Sequence, residues 1–310
     1  MKRFNKGILI ISLDTELALG HLADNERKIF DSLFYKTKPV IKRLLALFKK
    51  YDISVTWAIV GKLIENVQEK EIDFFYKNDK ICQNYLNENS DIYSYKNLIN
   101  DIRCFSKKHD IGSHSYSHIT FGPGRRNFYA DNELAAEDFS NNNSVFINHK
   151  ISPISFVFPQ NISGHFEILR QFKFKVFRGE EYKWYNSFKG IFRKILKFID
   201  NILPISPSVS LPKNSDGLIE TNGNLHFAKV PFGYRKYIPF WILKIKLFLG
   251  LQKAIRKNKI FHLWTHPYDL TFREESHFQL LEWFLKISKK YSDEGRLKII
   301  TMKDLNQYYD

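Results

Sequence analysis

Cysteine is nearly absent: 310 residues hold two, Cys82 and Cys104. Two thiols make no disulfide framework, so a domain of this size must be held by a core instead. Long apolar runs are missing too, and no stretch approaches the ~20 residues that span a bilayer. The opening MKRFNKGILIISLDTE starts basic and turns apolar like a leader peptide. Its apolar run breaks at Asp14 and Glu16, and no small-residue cleavage site follows. Gly7–Leu13 reads better as a buried strand, and the expectation is an unprocessed cytoplasmic protein. Internal repeats and low-complexity tracts are also lacking. Acids are scarce beside bases: 33 Asp and Glu against 48 Lys and Arg, a formal net charge of +15. Such an excess suits an anionic partner (nucleic acid, a phospholipid surface or a phosphorylated substrate) or simply a lysine-rich solvated surface. The basic residues are not organised around a recognisable nucleic-acid motif, so nucleic acid is not the expected partner.

What is present is apolar content for one large core, 44% of the chain, enough for a single barrel or two small domains. Gly7–Leu13 is a continuous apolar run, as in a strand buried on both faces. Pro39–Lys50 has helical spacing, Ile53–Val60 is a β-branched strand, and Tyr95–Lys108 is again helix-like. Ser155–Phe158, Lys175–Phe177, Lys259–Trp264 and Leu297–Thr301 read as further strands, with helices over His165–Phe172 and Ser276–Tyr291. Strands alternate with helices throughout, which predicts an α/β fold on a parallel sheet, open or closed into a barrel.

Two stretches look inserted into one domain spanning 1–310. Residues 70–94 are polar and aperiodic. Residues 187–250 hold an apolar stripe from Phe188 to Leu203 flanked by Lys189, Arg193, Lys194 and Lys197, and a second apolar, basic run from Phe240 to Leu249. Either run suits a membrane interface. Ordinary burial of one helix face is the default reading.

Three strand ends carry the chemistry. Asp14 and Glu16 end the first strand; residues two apart on a strand face the same way, so both carboxylates reach one site. Two carboxylates together are costly unless a cation or a proton resolves them. His114 and His118, in Gly112–His118 (GSHSYSH), are four residues apart, a spacing that on one helical turn brings both imidazoles to one point. His266 follows the late strand. In α/β folds ligands bind at strand C-terminal ends. Two imidazoles and a carboxylate, with another acid and another histidine beside them, are what metal-assisted hydrolysis needs.

Taken together, SLDTE, HSYSH, FVFPQN and THP resemble the motifs of the polysaccharide deacetylases, the NodB-type domain of carbohydrate esterase family four. KPVIKRLLALFKKYDISVTWAIVG and GRLKIITMKDL are similar to that family's intervening segments, so the resemblance covers most of the chain apart from the two inserted stretches. It implies a distorted (β/α)7 barrel. It also implies Asp14 as catalytic base, Glu16, His114 and His118 as ligands of Zn2+ or another divalent metal, and His266 as general acid. The implied reaction is removal of an N-acetyl group from a sugar of a glycan or of a lipid-linked glycan precursor in surface polysaccharide assembly. The protein would then be cytoplasmic, with peripheral attachment to an anionic inner membrane as an option. Two departures stand out: Thr15 separates acids that are usually adjacent, and the third motif, Val157–Asn161, has no arginine. Arg178 is the candidate replacement, or else a surface partner of Glu180 or Glu181. Gln160 and Asn161 are candidates for sugar contact or for capping the next helix. The rival expectations are deformylation of a formamido sugar, and a carbohydrate-binding protein of the same fold without chemistry.

Overall fold

The computed structural model describes residues 4–21, 32–65, 90–123, 129–181, 183–231 and 233–308. Cys82 and nearly all of the 70–94 stretch lie outside these residues. β1 (Gly7–Thr15) is buried along all nine residues, which is why its sequence is continuously apolar rather than alternating. β9 (Ile260–Thr265) runs parallel along one side of it, from Ile8 to Leu13. Its other side is shared: β10 (Leu297–Ile300) pairs with Gly7–Ile10, and β2 (Thr56–Ile59) pairs with Ser12–Thr15. Outward from β2 come β3 (Asp110–Ser113), β4 (Ser155–Val157), β5 (Val176–Gly179) and β7 (Leu218–Asn222), all parallel. A short antiparallel strand, β6 (Lys213–Ser215), ends that side, and β8 (Leu225–His226) ends the other beside β9.

The seam between the two sides is crossed by the chain itself. β7 lies beside β5 and β8 beside β9, with only Gly223 and Asn224 between them. Asn224 is locked to β9: its N–H donates to the His262 carbonyl (2.9 Å), and its Oδ1 accepts the His262 N–H (2.7 Å). A Cβ on Gly223 would sit 2.9 Å from the Trp264 ring, so the crossing has no room for a side chain. The result is a curled, mostly parallel sheet with helices packed outside it: the α/β fold that the alternating pattern predicts, curled in the manner of the distorted barrel that the family resemblance implies. Residues 187–250 are not wholly an excursion, because they supply β6, β7 and β8.

The helices follow apolar spacing where they cover the sheet. α1 (Thr37–Lys50) buries Val40, Ile41, Leu44, Leu45 and Phe48 at three- and four-residue intervals. α2 (Leu98–Phe105) buries Leu98, Ile99 and Ile102. α3 (Asn132–Asn148), which the apolar pattern does not announce, buries Asp138 and Asn142 among Ala135, Phe139 and Phe146. α4 (Phe166–Gln171) is short. α5 (Gly190–Ile202) departs from the default for an amphipathic helix, since Asp200 is its one buried residue. α6 (Phe240–Lys257) buries Ile242, Leu247, Leu251 and Ala254, and α7 (Glu274–Asp293) buries Phe278, Leu281, Phe284 and Leu285. Among the described residues no helix is long and apolar enough to cross a membrane.

Candidate active site

The C-terminal ends of β1, β3, β5 and β9 converge on one buried cluster. Ser12, Asp14 and Glu16 alternate along β1 and its exit, so they share a face. All three are buried. The chain then turns tightly, and a Cβ at Gly20 would fall 2.0 Å from Glu16 Oε1, so a side chain there would displace the carboxylate.

His114 and His118 both meet Glu16 Oε2, His114 Nε2 at 3.0 Å and His118 Nε2 at 2.7 Å. They do so from an irregular loop after β3, not from the helical turn that their spacing suggests. Ser115 (φ +64°) and His118 (φ +62°) are left-handed, a conformation that costs ~1–2 kcal/mol per residue. Asp138 of α3 holds the loop in that shape. Its carboxylate accepts the Tyr116 and Ser117 N–H groups (2.9 and 3.0 Å) and the Ser117 hydroxyl (2.7 Å). Burial pushes the Asp138 carboxyl up to about 6, against three donors that favour its ionised form.

Asp14 is held by Arg178 from β5. The guanidinium donates to both carboxylate oxygens, Nη1 to Oδ1 at 2.7 Å and Nη2 to Oδ2. This fork is wholly buried and lies over the Trp264 ring, so the surface ion pair with Glu180 or Glu181 is not formed. Asn161 Oδ1 accepts from Arg178 Nε and Nη2, and Ser12 Oγ accepts from Nη1. The Ser12 hydroxyl is thereby turned to donate to His262 Nε2 (2.8 Å). Burial pushes the Asp14 carboxyl up, but Arg178, with His114 and His266, outweighs it and holds the group below the usual carboxylate range. Burial opposes ionisation of Glu16 as well, yet His118, His266 and His114 hold it well below its ordinary value.

His266 leaves β9 with its two nitrogens committed differently. Nδ1 donates to Asp269 Oδ2 (2.9 Å), while Nε2 faces Glu16 Oε1 at 3.6 Å and Asp14 Oδ2 at 4.0 Å. The ring stacks on Tyr268, 4.7 Å between centroids. Burial disfavours the imidazolium, but Glu16, Asp269 and Asp14 override it and raise His266 to about 9. His226 shares the same Asp269 oxygen at 2.9 Å and stacks on Trp264; burial pushes it down, toward the neutral form.

All the named candidates except Gln160 join this network. Gln160 and Asn161 follow β4 with left-handed backbones (φ +55° and +57°), and the Asn161 amide is engaged with Arg178. Sequence reasoning missed Ser12, His226, His262, Tyr268 and Asp269. A signal existed for some of them. Ser12 is two residues before Asp14, His262 and Trp264 alternate toward His266, and Asp269 is one turn after His266. His226 had no signal, because its partners come from the fold.

The donor set fits a divalent cation at Glu16, His114 and His118, whose ligand-type atoms lie within 4.8 Å of one another. The orientation of the His114 ring supports this. Its Nδ1 is 2.7 Å from the Val157 carbonyl, so it must carry the proton and donate. With Nδ1 so engaged, Nε2 is the nitrogen left to face the Glu16 carboxylate, 3.0 Å away. His114 Nε2, His118 Nε2 and the Glu16 carboxylate thus converge on one buried point, where a shared cation would satisfy all three.

No protein-family model matches the chain, and no curated protein matches it in sequence. Solved structures do match in fold. A protein described as a polysaccharide deacetylase from Mycobacterium smegmatis superposes with a TM-score of 0.64 at 13% identity, covering 98% of this chain and 90% of that one. Another described so, from Pseudomonas aeruginosa PAO1, gives 0.57 at 12% identity, covering 97% and 90%. A GH57-type branching enzyme from Pyrococcus horikoshii gives 0.55 at 12% identity, covering 98% and 70%. The chain therefore has the α/β fold seen in the polysaccharide deacetylases. The branching enzyme shows that this fold serves more than one reaction, so chemistry must be argued from the site.

Proposed function

We propose that the protein is a metal-dependent hydrolase that removes the N-acetyl group from an amino sugar. The observation that carries this reading is the Glu16–His114–His118 cluster, in which His114 Nδ1 is engaged by the Val157 carbonyl and Nε2 faces Glu16. Zn2+ suits two imidazoles and a carboxylate. When bound there, such an ion supplies a Lewis acid and lowers the pKa of water at its open position toward ~7.

The remaining work falls to the side chains around it. Asp14 is kept ionised and aimed by the Arg178 fork, so it takes the proton of the attacking water. His266 is held by Asp269 through Nδ1, so its Nε2 gives a proton to the departing amine. The C–N bond breaks, water supplies oxygen to the acyl carbon, and the products are a free amino sugar and acetate. The missing third-motif arginine, which favoured a binding protein without chemistry, is answered by Arg178 reaching the same base from β5. We read the sugar as a lipid-linked precursor of a surface glycan, a reading supported by the basic apolar surface described below.

The test is metal analysis joined to mass spectrometry of N-acetylated amino sugars, free and lipid-linked. We expect about one divalent ion per chain, held by Glu16, His114 and His118. Chelation should abolish acetyl release, and zinc should restore it. Undiminished turnover by metal-free protein would refute the mechanism. A zinc-loaded protein that takes formyl but never acetyl from such sugars would move the assignment to a deformylase.

A further inference from the structure

α5 has Asp200 as its only buried residue, and through it the helix is tied down. Lys246 Nζ of α6 donates to the Asp200 carbonyl and lies 3.5 Å from its Oδ2, and Trp184 Nε1 donates to Oδ1 (2.9 Å). Asn201 Nδ2 donates to Tyr234 OH (2.8 Å), and the Phe198 and Tyr234 rings meet at 5.0 Å, so the helix adjoins the chain leading into α6. The surface left outside is apolar. Ile191, Phe192, Ile195, Phe198, Tyr237 and Trp241 are exposed, Phe192 by 69% and Tyr237 by 73%. Soluble surfaces rarely gather so many large apolar side chains in one place. The charge around them has one sign. Residues 183–203 and 234–248 hold nine Lys and Arg against one acid, the buried Asp200.

We infer that this α5–α6 face is a docking surface for an anionic phospholipid membrane. Apolar and aromatic side chains enter the headgroup boundary, while Arg193, Lys194, Lys197 and Lys244 meet lipid phosphates. The charge selects this occupant over a second copy of the chain, which would set one cationic rim against another around a lysine-rich contact. The face also adjoins the candidate site. A pocket of about 70 Å3 is lined by Asn201 of α5, Ile242 and Lys246 of α6, and His226, which shares Asp269 with His266. A docked molecule thus holds its buried cluster beside the bilayer surface. The inference stands apart from the catalytic proposal, because docking requires no turnover.

Flotation with vesicles of neutral phosphatidylcholine, and with vesicles that also contain phosphatidylglycerol, tests it. The full-length protein should float with the anionic vesicles at low salt and be released at high salt. Arg193→Glu with Lys194→Glu, and separately Phe192→Ser with Trp241→Ser, should each weaken binding more than about tenfold. All four positions are exposed on these helices, and an unchanged circular dichroism spectrum verifies folding. Three results would overturn the inference. They are no flotation with anionic vesicles at low salt, equal flotation by the variants, or a concentration-dependent dimer that the Phe192→Ser, Trp241→Ser variant abolishes without any vesicle binding.

Discussion

The cluster at the strand ends and the α5–α6 face depart from the usual distribution of residues in opposite directions. At the strand ends, Asp14, Glu16, Arg178 and His118 are almost fully buried, and each charge meets a partner. On the helical face, Ile191 and Phe192 stand in solvent beside the exposed cations Arg193 and Lys194. Buried polar groups and exposed apolar patches are the informative exceptions to ordinary solvation. The first kind is tolerated only when geometry is fixed, because an unmatched buried charge costs several kcal/mol. The second needs no fixed geometry, only a phase that accepts it. The contrast teaches that one region is built to hold atoms in place and the other to meet something shapeless.

The sharpest way to break the comparison is at the metal ligands. His114→Ala removes the ligand that Val157 orients, and we expect metal loss with turnover falling by about 10^4-fold or more, ~5.5 kcal/mol of transition-state stabilisation. Plasma mass spectrometry and acetyl release read the two effects together; a variant that keeps full zinc refutes the ligand assignment. Membrane flotation by the same variant should be unchanged.

Next in size is the Asp14–Arg178 pair. Arg178→Met leaves Asp14 buried without its counter-charge, a loss of about 3–5 kcal/mol of folding stability when one partner of a buried pair is removed. Arg178→Lys keeps the charge but not the two-pronged donation, so it should retain metal and fold while turnover falls roughly 10–100-fold. Urea denaturation and zinc content distinguish the two variants. If Arg178→Met denatures like wild type, the fork is not holding the base.

How much of this arrangement was legible in the chain depended on whether the signal was local. Asp14 and Glu16 announce themselves by the period of a strand, and His266 by its place after one. The (β/α) alternation was legible for the same reason, since buried parallel strands are unbroken apolar runs. Arg178 could be listed but not assigned: its carboxylate is 164 residues away, and only the curl of the sheet brings β5 over β1. The spacing of His114 and His118 pointed to a helical turn that does not form, because Asp138 draws the Tyr116 and Ser117 N–H groups into a loop. α3 itself was illegible, because its inward face carries Asp138 and Asn142 where a core helix would show Leu or Ile. The polar residues that serve the site erased the apolar period that would have revealed the helix.

Between the two regions sits His277 of α7, which sharpens the contrast through pH. Its Nδ1 donates to the Phe272 carbonyl (2.7 Å), and its Nε2 accepts the Lys229 N–H (3.0 Å), so the neutral ring is fully matched. Burial pushes it down to about 4, and protonation would set N–H against N–H. The unfolded chain, with histidine near 6.5, takes up this proton first as pH falls. Stability should therefore decline from about pH 6.5 down to about pH 4, by roughly 3 kcal/mol at most for this group. Melting temperature against pH should flatten over that window in His277→Gln. An unaltered slope would mean that other groups set the acid limit.

The smallest expected effect bears most directly on the helical face. Phe192 is 69% exposed, so Phe192→Ser removes little buried area and should change folding stability by less than about 0.5 kcal/mol. A phenylalanine serving the core would instead cost ~3–5 kcal/mol on truncation. The gap between those figures makes a null result in thermal denaturation meaningful, provided the same variant weakens flotation with anionic vesicles. A stability loss of core size would show that Phe192 is covered within the protein in solution, and the two regions would then obey one rule rather than two. An unchanged melting temperature with weakened membrane binding would instead mean that this side chain serves the membrane and not the fold.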